Sequence, residues 1–229
     1  MEKLESTREK DSNIEKEVCK FCDKYLYSDL TGIQLRRSTS VEEQMSGIDG
    51  YLSIPSKGIF DAPADEKAAM HYVNKRIPTF ALELSQITVR GEEVDGWFMN
   101  DDYKTEYYIL MYLEANVLKY TDKRGRLCYR WHDITEHNLK SVEYYIVEKS
   151  KIVNYLSEKG YDREKLLEDI KYVRENPEEK YKLTEARFKY FICNGEPEKA
   201  INMLLRKEIY LNLCVTAGKI GPDANEIYK

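Results

Sequence analysis

SGIDGYLSIPSKGIFDAPADEKAAMHYV, residues 46–73, places acids and a lysine beside apolar runs that read as the buried centre of a sheet. GIDGYLSI and KGIFDA flank PSKG, a turn sequence with Pro55 and Gly58, so the stretch predicts a β-hairpin. Asp49 stands in the first arm, and sixteen residues later come Asp65, Glu66 and Lys67. In an extended chain, residues two apart share a face at a separation of roughly 6.6 Å. Asp65 and Lys67 would then face one groove and Glu66 would face away. Acids buried on a sheet without a partner are costly. Two carboxylates with a lysine beside them suit a divalent cation. Carboxylate oxygens are hard ligands for Mg²⁺ or Mn²⁺, and Mg²⁺ usually takes only one or two protein carboxylates, with phosphate oxygens and water completing its shell. Local propensity competes with this reading. In PADEKAAMHYV a proline, then acids, then alanines make a good helix start. In a helix the three side chains would diverge by about 100° per residue. Asp61, in the FDAPA insert ahead of Asp65, competes for the register.

Outward from this stretch the pattern alternates. Residues 10–30 predict a helix with Ile14, Val18, Phe21, Cys22 and Tyr25 on one face and Ser12 or Asn13 as its cap. SVEEQ, 40–44, reads as a helical turn opened by Ser40. TFALELSQITV, 79–89, and TEYYILMYLEA, 105–115, read as strands, with LCYRWHD, 127–133, as hairpin partner of the latter. VEYYIVE is strand-like, and SKIVNYLSEKG and DREKLLEDIKYVREN predict helices, the latter over 162–176. RFKYFICN and KAINMLLRKE flank GEPE as a last hairpin. IYLNLCVTAG reads as a closing helical turn, and the tail from Gly221 as loose.

Order now matters more than any single letter. Gln44 precedes G-I-D in Q-x-x-G-I-D; D-E-K-A follows the turn; then come T-F-x-x-E-L, G-W and T-x-Y-Y. The set spans about residues 40–115 and resembles an uncharacterised bacterial branch of the PD-(D/E)XK nuclease superfamily. In that family an aspartate on one strand and a (D/E)-x-K on the next hold a metal and the scissile phosphate. Ile48, not proline, precedes Asp49, a variation that many members share. The resemblance implies a restriction-endonuclease-like mixed β-sheet flanked by helices, with a C-terminal α/β extension. It favours an extended chain to about Ala68. It implies a nuclease core over 1–135 and a strand-helix extension over 136–229, part of the same domain or a small lobe. Asp49 and Asp65 would bind Mg²⁺ or Mn²⁺, and Lys67 would place the attacking water and stabilise charge at phosphorus. Gln44 would orient the metal shell or the water. Glu83, on the next predicted strand, is either a further metal or water contact or a solvent-facing acid. The reaction implied is hydrolysis of phosphodiester bonds by in-line attack of a metal-activated water. The alternative is a catalytically inactive member that binds nucleic acid or protein.

The remaining signals bear on partners. KYTDKRGRLCYRW, 119–131, is the most basic stretch, and Arg124, Arg126 and Arg130 there, with Lys104, are the expected nucleic-acid contacts; a solvated turn is the plainer reading. Arg36 and Arg37 precede the site and are candidates for the same groove. Trp97 and Tyr107 read first as core and second as stacking surfaces. Across 229 residues the formal charge is −5, which disfavours whole-chain attraction to nucleic acid. No run of about 18 apolar residues occurs, so no membrane span is expected. The charged N-terminus lacks an apolar secretory region, and a cytoplasmic protein with free thiols is expected from 5 cysteines. Cys19 and Cys22 form a lone CxxC, and His132 and His137 lack a third ligand nearby, so neither predicts a zinc site. No phosphate-binding glycine loop or serine-hydrolase elbow occurs. The expected partner is DNA or RNA, and a homodimer would suit two-strand cutting.

Overall fold

The computed structural model describes residues 8–185, 188–194 and 196–229. The expectations for the extreme N-terminus, and for Arg187 and Gly195 in the last hairpin, lie outside them. In chain order the elements begin with α1 (Arg8–Tyr25), β1 (Gln34–Arg37), α2 (Val41–Met45), β2 (Gly50–Ile54), β3 (Ile59–Ala68), β4 (Thr79–Ile87) and β5 (Glu93–Asp95). They continue with β6 (Tyr107–Ala115), β7 (Lys119–Thr121), β8 (Leu127–Tyr129), β9 (Leu139–Glu148), α3 (Lys149–Glu158) and α4 (Arg163–Glu175). β10 (Phe188–Ile192), β11 (Ile201–Arg206), α5 (Lys207–Leu213), β12 (Thr216–Gly221) and β13 (Ala224–Ile227) complete the chain. The class is mixed α/β, with a large mixed sheet flanked by helix.

The chain divides into two compact units, and each is interrupted in sequence. One comprises Arg8–Ile77, Lys104–Glu148 and Cys214–Lys229. Its seven-stranded sheet runs β1-β2-β3-β6-β9-β12-β13. β3 and β6 pair in parallel, with Asp65 opposite Tyr108 and Lys67 opposite Leu110; the other pairs are antiparallel. β6 is buried along most of its length, as its unbroken apolar sequence requires. Ile14, Val18, Phe21 and Cys22 form the inner stripe of α1 and share one core with Leu52, Ala64, Ile109, Met111 and Ile146. That stripe fixes which face of β3 the helix covers: the face of Ala62, Ala64 and Glu66.

The second unit holds Pro78–Tyr103 and Lys149–Leu213. Its sheet runs β10-β11-β4-β5, all antiparallel. Asp162 caps α4 by accepting from the Lys165 N–H at 2.9 Å. Asp169 is buried on α4 and accepts from Lys165 Nζ at 2.9 Å and the Tyr190 hydroxyl at 2.7 Å. Strand β9 and the C-terminal strands β12 and β13 complete the first unit's sheet.

Three local expectations change. Residues 127–129 pair with 119–121 in a ribbon of their own, while β6 takes β3 and β9 as neighbours. A five-residue connection between β7 and β8 closes faster than the longer return to β6. Helix α1 already includes Arg8, the first described residue, which puts Ser12 and Asn13 inside it. Thr216–Gly221 is a strand, and Ala224–Ile227 pairs back onto it, so the tail is ordered. Gly218 permits this pairing, because a Cβ there would stand 2.3 Å from the Glu226 carbonyl oxygen. Gly218→Ala is therefore expected to cost about 2 kcal/mol in urea denaturation. A loss below about 0.5 kcal/mol would mean that β13 peels away freely.

Candidate metal and phosphate site

Residues 65–67 are extended. Strand β3 is hydrogen-bonded between β2 and β6, and two ladders outweigh the helix propensity of DEKAAM. Asp65 and Lys67 thus share one face, and Lys67 Nζ donates to Asp65 Oδ1 at 2.5 Å. Asp49 sits just ahead of β2. Its own N–H donates to the Ala64 carbonyl, and its Oδ2 accepts from the Glu66 N–H, each at 2.9 Å. The backbone of β3 therefore orients Asp49 directly.

Asp65 is 2% exposed, and its Oδ2 has no hydrogen-bond partner among the described residues. Burial pushes its carboxyl up to about 7; Lys67 opposes this, and repulsion from Asp49 adds to it. Lys67 is half-buried. Desolvation would lower its pKa, but Asp65 and Asp49 outweigh that and hold the ammonium charged above its usual range. Two carboxylates and an orphaned buried oxygen fit a hard divalent cation, which needs few protein ligands. Among the described residues no group of three or more His, Cys, Asp or Glu side chains is arranged to hold a metal.

A further acid comes from α1. The surroundings of Glu15 hold its carboxyl above the usual range, chiefly by desolvation; Lys67 acts against this, and Asp49, Asp11 and Glu66 act with it. Sequence reading missed Glu15 because it is one of many acids on a charged helix.

Glu66 points the opposite way, as expected. Its side chain is 5% exposed and accepts from Arg37 Nη1, the Tyr27 hydroxyl and, at 3.6 Å, the Cys19 thiol. Arg37 also pairs with Asp23 at 2.8 Å, so it braces the back of the sheet and is corrected from the groove. Burial and Glu66 push the Cys19 thiol up, and burial does the same to Cys22, the reverse of a reactive pair. All five cysteines are free.

Other expected residues lie elsewhere. Gln44 is exposed on α2 and reaches the Ser38 carbonyl at 3.5 Å; it makes no hydrogen bond to either aspartate. The partner that fixes α2 is Glu43, which accepts from Ser38 Oγ and Tyr51. Glu83 is on β4, the next strand in sequence as expected, and β4 belongs to the second unit's sheet. Lys104 is exposed, and its N–H donates to the Ser46 carbonyl at 2.9 Å, at the turn that leads to Asp49. Arg36 pairs with the competitor Asp61 at 3.2 Å on the surface and stacks over Tyr51. Arg124, Arg126 and Arg130 are exposed in and beside the β7–β8 ribbon. Tyr107 packs on the core, and Trp97 lies edge-on to Phe98 in the second unit. No helix among the described residues is long and apolar enough to cross a membrane.

The raised carboxyl has a consequence for stability. Between about pH 4 and pH 7 the folded chain keeps a proton on Asp65 that the unfolded chain has released, so folding weakens as pH rises through that window. Asp65→Asn removes this penalty. In metal-free buffer the variant is expected to gain about 2 kcal/mol over the parent at pH 8 and almost nothing at pH 4, measured by urea denaturation. An equal difference at both pH values would contradict the assignment.

Comparison with known proteins finds no matching family model, no matching curated protein and no matching solved structure.

Proposed function

We propose that the first unit is a metal-dependent phosphodiesterase acting on nucleic acid, built on a restriction-endonuclease-like core. One observation carries this reading: Asp49 and Lys67 are assembled around the buried, partly unsatisfied carboxyl of Asp65. A protein gains no stability from such a carboxyl, and sites that pay a folding cost are where function is expected.

Asp49 and Asp65 would hold Mg²⁺ or Mn²⁺, which supplies Lewis-acid polarisation of the phosphodiester when bound. Lys67 keeps its charge and would stabilise the phosphate oxygen where negative charge grows in the transition state. Its bond to Asp65 fixes the direction of the ammonium, so little reorganisation is needed during reaction. The attacking water would lose its proton to solvent, and Glu15, exposed on α1, has no assigned part. Attack is in line, the P–O bond to the leaving oxygen breaks, and no covalent intermediate with the protein forms. Glu83 and Gln44 have no assigned part.

The rival is a binding module that keeps the fold without chemistry. Its support is the small number of ligating side chains at the site. The test is incubation of the full chain with plasmid and with single- and double-stranded oligonucleotides, in EDTA and in Mg²⁺ or Mn²⁺. Metal-dependent cleavage supports the enzyme. Retained binding without cleavage in any metal supports the module.

A further inference from the structure

A basic stretch of the first unit, residues 119–126, lies outside the carboxylate site. Strands β7 and β8 form a two-stranded antiparallel ribbon that pairs with no other strand. From Leu118 to Leu127 every residue except Asp122 is exposed, so the ribbon projects from the unit. It carries Lys119, Lys123, Arg124 and Arg126 against the single acid Asp122, in a chain whose net charge is −5, while Arg130 at its foot pairs with Asp133 at 3.8 Å. Such a reversal of local charge costs solubility nothing, but it repels cations and collects polyanions.

The tip is built, not loose. Asp122 Oδ1 accepts from the N–H groups of Arg124 and Arg126, both at 2.9 Å, and its Oδ2 pairs with the Arg126 guanidinium at 2.7 Å. Arg126, expected as a phosphate contact, is thereby committed to holding the turn. Gly125 takes a φ of 74° at the bend. No ion pair engages Lys119, Lys123 or Arg124 among the described residues. Apolar surface stands among the cations: Leu118 is 61% exposed, Leu127 56% and Tyr120 49%. At its base Trp131 stacks on His71 with centroids 4.1 Å apart, and His71 Nε2 meets Asp11 at 2.8 Å. His71 follows Lys67 by four residues, so the ribbon is rooted where the chain leaves the site strand.

We infer that this ribbon enters the major groove of double-stranded DNA, with Lys123 and Arg124 on the flanking phosphates and Tyr120 facing the groove. The dimensions agree. Two strands about 4.8 Å apart, with side chains, fill a groove about 12 Å wide, and three residues at about 3.3 Å each reach roughly its 8.5 Å depth. Duplex RNA is excluded by the same geometry, because its major groove is deep and narrow. The purpose of the contact, delivery of a duplex to the carboxylate site, rests on the phosphodiesterase reading; its test reads binding alone.

Fluorescence anisotropy of the full chain in EDTA, with a labelled 20-base-pair DNA duplex, its single strand and an RNA duplex of the same sequence as probes, decides the matter. The DNA duplex is expected to bind tightest. Lys123→Glu with Arg124→Glu is expected to weaken duplex binding at least tenfold and to reduce the salt slope by about 2. Lys57→Glu with Lys75→Glu controls for net charge and is expected to have a much smaller effect. Equal loss in the control pair, unchanged binding in the ribbon pair, or tighter binding of single strand or RNA duplex by the parent would each overturn the inference. Duplex binding without cleavage in metal would sink the enzyme and leave the ribbon standing. Cleavage with unchanged binding in the ribbon pair would do the reverse.

Discussion

Lys67→Ala is expected to lower metal-dependent cleavage of nucleic acid by roughly 10²–10³-fold while leaving the fold intact. The rate falls because the positive charge aimed at the phosphate is gone and nothing nearby replaces it. The fold survives because Asp65 can take up a proton. Its carboxyl already sits at about 7, so near neutral pH a proton substitutes for the lost ammonium at a cost of about 1 kcal/mol. Cleavage rates on a plasmid in Mn²⁺, beside urea denaturation of the same samples, separate the two effects. A variant that unfolds, or one that cuts at the parental rate, would remove Lys67 from the proposed chemistry. Lys67→Arg keeps the charge but changes its geometry, and it should recover only part of the activity.

The next residue back should behave in the opposite way. Glu66→Ala is expected to cost about 3 kcal/mol of stability with little change in the cleavage rate of the folded fraction. Its carboxylate is almost fully buried and satisfies Arg37, Tyr27 and Cys19 at once. Removing one partner of a buried pair strands the other, a cost of about 3–5 kcal/mol. Arg37 retains Asp23 and some exposure, which puts the expected value at the low end. Activity is kept because the group that orients Asp49 is the backbone N–H of residue 66, which alanine also has. Chemical denaturation measures the loss, and a value under about 1 kcal/mol would show that the Arg37 network is ornamental. On the proposed reading, adjacent residues on opposite faces of one strand would divide function from stability.

The hairpin was legible because turn residues and apolar alternation agree over 46–62. The strand at 65–67 was harder to read. Its letters favour helix, and the ladders that overrule them come from β2 and β6, the second of which lies some forty residues away in sequence. The strand that carries Glu83 was legible from its composition, but composition does not say which sheet it joins. Glu15 was invisible because exposed acids on a helix are common. The C-terminal strands were missed because Thr216–Gly221, with two glycines, has weak strand propensity; pairing with β9 makes it a strand. The basic ribbon was legible as charge, but Arg126's engagement with Asp122 was not.

The most direct test is a crystal of the full chain soaked in Mn²⁺ at pH 8, with anomalous scattering recorded at the manganese edge. The expected result is a peak about 2.1 Å from carboxylate oxygens of both Asp49 and Asp65, with Lys67 Nζ beside it and not bonded to it. No anomalous peak there, with both carboxylates unmoved, would contradict the claim that this strand pair is a metal site.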